Sequence, residues 1–183
     1  MGRHAVAQAR RSAGRSVVKR TPFAAWPCSI ARTVDLLGDW WTPLVLRECF
    51  YGTTRFDDFE RVLGIGRNVL TQRLNRLVDE GVMERIPYQQ RPLRHEYVLT
   101  DKGRDLYPVL LAINSWGDRW LSAEAGPPVV LHHTTCDHDL QAVVVCAHCE
   151  QPLTLDDVTA HLGPGFPDRQ REAALATGRF SSG

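Results

Sequence analysis

An α+β, mainly helical fold is predicted by three observations along one stretch, Phe56 to Thr100. First, apolar residues recur there at helical spacing in two runs separated by the tight link GIGR. Second, at roughly 100° per residue the later run, NVLTQRLNRLVDEG, puts Leu70, Leu74, Leu77 and Val78 on one side. Asn68, Thr71, Gln72, Asn75 and Arg76 fall on the other side. Third, after Gly81, which suits the left-handed residue that ends a helix, VMERIPYQQRPLRHEYVLT reads as two strands around a polar turn. Helix, link, helix and hairpin in that order describe a winged helix-turn-helix. Its second helix offers amide and guanidinium groups suited to base edges and phosphates.

The elements follow in order. Residues 1–21 are rich in Arg, Ala and Ser with few large apolar groups, and read as a disordered basic arm. Residues 22–122 read as the winged helix-turn-helix domain with a long C-terminal dimerisation helix. Cys28 to Leu37 is a short helix with Ile30, Val34 and Leu37 on one face, ended by Gly38. A second helix runs from about Trp41 to Phe50, with Pro43 in the first turn, where no amide partner is lost. Leu44, Val45 and Leu46 are expected in the core, anchored by Trp40 or Trp41. Thr54 is placed to cap the third helix, with Asp57 in its first turn; that helix buries Phe56, Phe59, Val62 and Leu63. Val82 to Ile86 and His95 to Leu99 are the strands, and Pro87 to Arg94 is the wing loop. Thr100 caps one long helix to about Ser122. Its stripe of Leu106, Val109, Leu110, Ile113, Trp116, Gly117 and Trp120 exceeds what one small domain covers. A surplus apolar face meets a partner, and a second copy is the economical choice. A twofold pair would set two reading helices about one duplex turn, roughly 34 Å, apart.

Gly126-Pro127-Pro128 closes that domain, and residues 129–162 read as a small zinc-ribbon-like extension. Strands are expected at Val129 to His132 and Leu140 to Val145, a short acidic helix at Leu155 to His161, and a disordered tail at 163–183. His133-Thr-Thr-Cys136, nine residues, then Cys146-Ala-His-Cys149 has ribbon spacing. Three thiolates and one imidazole suit a tetrahedral structural zinc. His132, His138 or His148 could each stand in for His133. Roughly 30 residues cannot stand on an apolar core, and a metal supplies the missing stability. The other readings of these cysteines are a Cys146–Cys149 redox pair and a knuckle that has lost its metal. Catalytic zinc is not expected, since all four ligands are consumed and no His-Glu-x-x-His is present.

Composition narrows the classes. The 183 residues are 43% apolar, ordinary for a globular chain. No apolar run approaches the ~20 residues that cross a bilayer. The basic N-terminus lacks an apolar stretch, so a cytoplasmic protein without a membrane partner is expected. The net charge of +1 conceals +6 over residues 1–27, zero over 28–122 and −5 over 123–183. Nucleic-acid affinity must therefore come from where the charges sit. Five cysteines, three of them clustered near the end, suit a reducing compartment better than a disulfide framework.

Residues 28 to about 122 resemble the HxlR-type family of bacterial winged-helix transcription regulators, relatives of the MarR group. CSIARTVDLLGDWW, TPLVLRECFYGTTRFDDFERVLGIGRNVLTQRLNRLVDEGVMER and LTDKGRDLYPVLLAINSWGDRW carry the resemblance. Gly38-Asp39-Trp40 matches the family's Gly-x-Trp, and Leu99-Thr100 with Gly103 matches its entry to the long helix. Cys28 is followed by Ser29 where the family has Pro, and the reading helix opens on Gly66-Arg67 where Ser-Pro is common. The resemblance implies a homodimer on double-stranded operator DNA, joined through the Cys28 to Leu37 helix and residues 106–120. It also implies a candidate thiol sensor at Cys28, with Arg32 one turn on as a source of positive charge; the other reading of Cys28 is a structural cysteine. Cys49 reads as core.

The expected function is a sequence-specific DNA-binding transcriptional regulator, a homodimeric repressor responding to a small-molecule effector or a thiol-reactive signal. Asn68, Gln72 and Asn75 are the residues for base edges. Arg67, Arg76, Arg91 and Arg94 are placed for phosphates, with Arg76 also able to read guanine. Thr54, Arg55, Thr71 and Gln90 complete the DNA-facing set. Arg73 is expected to pair with Glu80 or an earlier acid. The alternatives are a winged-helix protein-interaction module and a thiol redox protein using Cys146 and Cys149. No catalytic residue is assigned, and no enzyme activity is expected.

Overall fold

A computed structural model of the chain describes Phe23 and residues 25–181; the basic arm read at 1–21 lies outside them. The helices are α1 (Ser29–Leu37), α2 (Thr42–Phe50), α3 (Phe56–Leu63), α4 (Arg67–Asp79), α5 (Asp101–Arg104), α6 (Tyr107–Leu121) and α7 (Asp168–Ala176). The strands are β1 (Met83–Gln90), β2 (Leu93–Leu99), β3 (His132–His133) and β4 (His138–Asp139). Among the described residues no helix is long and apolar enough to cross a membrane.

The core follows the periodicity in α2 and α4, but on α3 only Phe59 is fully buried, and Val62, expected inside, is 52% exposed. Val45 and Leu46 of α2, Phe59 of α3, Leu70, Leu74 and Leu77 of α4, and Val82 before β1 are wholly buried. Burying each such side chain contributes roughly 1.5–3 kcal/mol. Because α4 is held by an i, i+4, i+7 stripe, its opposite face has one possible direction, outward. Gly64, at φ 60°, ends α3 in the left-handed region and lets the chain turn into α4 over the buried Ile65.

The hairpin is longer than its sequence suggests. The antiparallel pairing runs from Met83 opposite Leu99 to Gln90 opposite Leu93, so the turn is only Arg91-Pro92. Pro87 was expected to end the first strand. A register shift between Pro87 and Gln89 absorbs the proline's missing N–H, and pairing resumes beyond it. Thr54 is not a cap. Its carbonyl accepts the Tyr97 N–H at 2.7 Å, and Arg55 bridges to Glu96, so Thr54 and Arg55 border the hairpin as an added edge. Arg55 holds the capping position of α3 without a side-chain cap.

The single helix expected from Thr100 to Ser122 is two helices. Pro108 has no N–H for the Arg104 carbonyl, and the chain bends at Asp105 and Leu106 between α5 and α6. Thr100 does cap: its hydroxyl accepts the Gly103 N–H at 3.2 Å and donates to the Gly81 carbonyl at 2.7 Å. Gly103 lies so close to β1 that a Cβ there would stand 2.2 Å from the Val82 carbonyl oxygen. Lys102 Nζ donates to the Glu80 carbonyl at 2.6 Å, closing the C-terminal end of α4.

In the extension, β3 and β4 are two-residue strands, shorter than expected, and the second predicted strand reduces to a bridge between Val145 and Pro152. Val143, Val144 and Val145 are about half exposed, because among the described residues no second layer covers them. The acidic helix is one 3-10 turn, Leu155–Asp157, closed by reciprocal Thr154 and Asp157 capping bonds. The tail expected to be disordered carries α7, with the Phe166 and Phe180 rings 6.2 Å apart and Ser181 bridged to His161.

Candidate nucleic-acid interface

Asn68, Thr71, Gln72 and Asn75 stand exposed along α4, opposite Leu70, Leu74 and Leu77. Asn68, Gln72 and Asn75 make no side-chain hydrogen bond among the described residues, so their amide donors and acceptors face outward unused. Thr71 is different: its hydroxyl donates to the Arg67 carbonyl at 2.8 Å, leaving its acceptor lone pairs and methyl group outward. At the hairpin tip Gln90, Arg91 and Arg94 are exposed. Between the start of α3, the start of α4 and the wing runs a cleft of about 530 Å³ lined by Arg55, Asp57, Arg67, Tyr88, Arg94 and His95. Reading helix and wing tip thus border one concave, polar face.

Three cations of this face, Arg55, Arg67 and Arg94, are held by carboxylates. Arg67 donates to Glu60 and reaches Asp57 at 3.5 Å, with its guanidinium over the Phe56 ring. Arg94 lies 3.7 Å from the other Asp57 oxygen. Arg55 pairs with Glu96 at 3.1 Å and stacks on Tyr88. Arg91 has no ion pair among the described residues. Exposed pairs of this kind are worth about 0–1 kcal/mol, so a phosphate can take the place of Asp57 or Glu60 at little cost.

Two further arginines of α4 turn inward. Arg76 donates to the Asp35 carbonyl at 2.7 Å and to its carboxylate at 3.3 Å, both on α1. Arg73 pairs with Asp39 at 3.0 Å, an earlier acid as expected. Asp39 also accepts the Trp41 and Thr42 N–H groups, each at 2.9 Å, and so caps α2. Both arginines are partly buried, and they tie the reading helix to α1 and to the α1–α2 corner. Sequence reasoning placed Arg76 among the outward groups. Its partner lies 41 residues away in the chain, beyond any helical spacing rule.

The remaining candidate residues lie elsewhere. Cys28 caps α1, its sulfur accepting the Ala31 N–H at 3.5 Å, and is exposed. Cys49 packs against the core, and burial pushes its thiol up to about 12. His133 Nδ1 and Cys136 Sγ are 3.2 Å apart. Cys146 is held below the usual thiol range by the Cys149 N–H, then the His148 N–H and the Cys149 side chain. Among the described residues no three His, Cys, Asp or Glu side chains converge on one ion position. On α6, Ile113, Trp116 and Trp120 are 53%, 57% and 65% exposed, and Ile30 and Val34 of α1 are exposed as well.

The HxlR-like helix-turn-helix family matches residues 36–125. The uncharacterised HTH-type transcriptional regulator Rv3095 of Mycobacterium tuberculosis is 44% identical over 138 residues, covering 75% of this chain and 87% of that protein. The uncharacterised HTH-type transcriptional regulator sll1512 of Synechocystis is 41% identical over 99 residues, 54% of this chain and 73% of its own. Among solved structures, PA1607 superposes with a TM-score of 0.71 at 36% identity, over 78% of this chain and all of that one. PA1374 of Pseudomonas aeruginosa gives 0.58 at 39% identity, over 80% of this chain and 99% of that one. Both are described as candidate transcription factors. The match to PA1607 spans more of the chain than residues 36–125, so the likeness continues past the helix-turn-helix.

Proposed function

The chain belongs to the HxlR-like helix-turn-helix family of DNA-binding transcriptional regulators, and we propose that it is a homodimeric repressor of a twofold operator, acting by binding rather than by catalysis. One observation carries this reading: three unpaired amides, Asn68, Gln72 and Asn75, stand on the outer face of a helix whose inner face is core. Such amides pair in a bidentate manner with adenine edges in the major groove. Gln90, Arg91 and Arg94 at the wing tip hold phosphates and set the register, and Arg67 joins them by exchanging Asp57 and Glu60 for phosphate oxygens. Repression follows from occupying DNA that polymerase needs, and the reading carries a cytoplasmic location with it.

Dimerisation uses the apolar residues of α1 and α6, Ile30, Val34, Ile113, Trp116 and Trp120. That choice gives a signal its route. The Arg76–Asp35 and Arg73–Asp39 pairs join α4 to α1, so a displacement of α1 in the dimer moves the reading helix with it. A reaction at Cys28, which caps α1, is one input. A small apolar effector in the cleft of about 240 Å³ between α2 and α6, lined by Leu44, Phe50, Tyr107, Leu110 and Leu131, is another. Either changes the spacing of two reading helices and so the fit to two half-sites.

The test is affinity for a duplex selected from a randomised library. Gln72→Ala and Asn75→Ala are each expected to weaken that duplex by about 10- to 100-fold, in line with roughly 1–3 kcal/mol per bidentate base contact. Binding to unselected DNA should hardly change. If both variants bind the selected duplex as the parent does, α4 is not the reading element.

A further inference from the structure

Two turns between residues 132 and 150 are built alike. In the first, His133 and Cys136 stand three residues apart, and the Asp137 N–H closes the turn on the His133 carbonyl at 2.9 Å. In the second, Cys146 and Cys149 stand three residues apart, and the Glu150 N–H closes on the Cys146 carbonyl at 2.7 Å. The residue after each second side chain is left-handed: Asp137 at φ 59° and Glu150 at φ 61°. Among the described residues these are the only non-glycine residues at positive φ. Aspartate tolerates that region, but for Glu150 it costs roughly 1–2 kcal/mol, and strain of that kind persists only where something holds it. Apolar packing does not hold it here, since residues 132–139 and 147–161 are exposed throughout.

We propose that residues 129–153 bind one structural zinc ion per chain, with His133 and Cys136 from the first turn and Cys146 and Cys149 from the second as its four ligands. Each turn is a bidentate half-site, and three sulfurs with one imidazole nitrogen complete the tetrahedral set that structural zinc takes. No three of these side chains converge among the described residues, so binding must dock one turn against the other. The connection allows it. Residues 140–144 belong to no helix or strand, and their backbone is tied only by Leu140 N–H to Leu131 and Val144 to the Leu153 N–H. Docking rearranges this link and leaves the buried core of α2, α3 and α4 untouched. Each neutral thiol that ligates releases its proton to solvent, and the bound ion supplies the stability that a segment without a core lacks. The proposal is independent of the DNA-reading function, which rests on other elements.

The experiment uses the full chain, purified reduced, without added metal or chelator. Metal analysis is expected to find one zinc per chain, with Cys136, Cys146 and Cys149 becoming reactive only when a chelator is added. Replacement by cobalt(II) should give thiolate-to-metal charge-transfer bands and the visible bands of a tetrahedral ion. Cys146→Ser and His133→Ala should each lower zinc below a tenth of an ion per chain, while Cys28→Ser retains it. DNA binding by Cys146→Ser reports that the winged domain still folds. Protein that holds no zinc and gives no tetrahedral cobalt spectrum overturns the site. So does full zinc retention by Cys146→Ser, and retention by His133→Ala overturns the assigned fourth ligand.

Discussion

Arg67 is already satisfied by Glu60 and Asp57 before any phosphate arrives, and Asp57 also neutralises Arg94. One carboxylate therefore restrains two of the cations assigned to the backbone of the duplex. Asp57→Asn is expected to tighten binding to any duplex by several fold at low salt, because the exposed pairs it removes are worth only about 0–1 kcal/mol each. The gain should shrink as salt rises, as phosphate contacts do; anisotropy titrations across a salt series measure both. Arg76 behaves differently, since its partner Asp35 is on α1 and both are partly buried. Cys49 offers a third test at this scale. With its thiol pushed up to about 12 by burial, it stays neutral when an ordinary thiol has begun to ionise. Alkylation near pH 8.5 should modify Cys28 while sparing Cys49 until denaturant is added, as peptide mass mapping would read. Because the unfolded thiol ionises first, this group also lowers stability as pH rises above about 9.

At the scale of elements, α4 is the hub. Leu74→Ala is expected to cost about 2–5 kcal/mol, as large-to-small changes in a closed core do, measurable as a shift of the urea midpoint. Gly103→Ala should destabilise through a single methyl, because its Cβ has no room beside the Val82 carbonyl. These elements were legible because α4 repeats its apolar residues at helical spacing and Gly81 marks its end. The misread ones share a physical cause: their outcome depends on groups distant in sequence. Pro87 looked like a strand end, yet a register shift opposite His95 and Arg94 carries the pairing past it. Thr54 looked like a cap, yet its carbonyl is taken by Tyr97. The inward turn of Arg76 could not be read without knowing that Asp35 of α1 lies within its reach. The break before α6 was within reach, since Pro108 cannot donate to Arg104. In the extension, the run Leu140 to Val145 suggested a strand, but among the described residues no second layer packs on it.

For the whole molecule, the near-zero charge of residues 28–122 means that affinity depends on geometry and on pairing two half-sites. Trp116→Glu with Trp120→Glu should give a monomer of unchanged helical content by circular dichroism. It should lose most of its affinity for a twofold site, since each copy then binds a half-site alone. Hydroxyl-radical footprinting of the parent protein on its selected duplex tests the central claim most directly. The account predicts two protected patches related by a twofold axis, with centres about one duplex turn, roughly 34 Å, apart. A single patch, or even protection along the duplex, would contradict a twofold pair of reading helices.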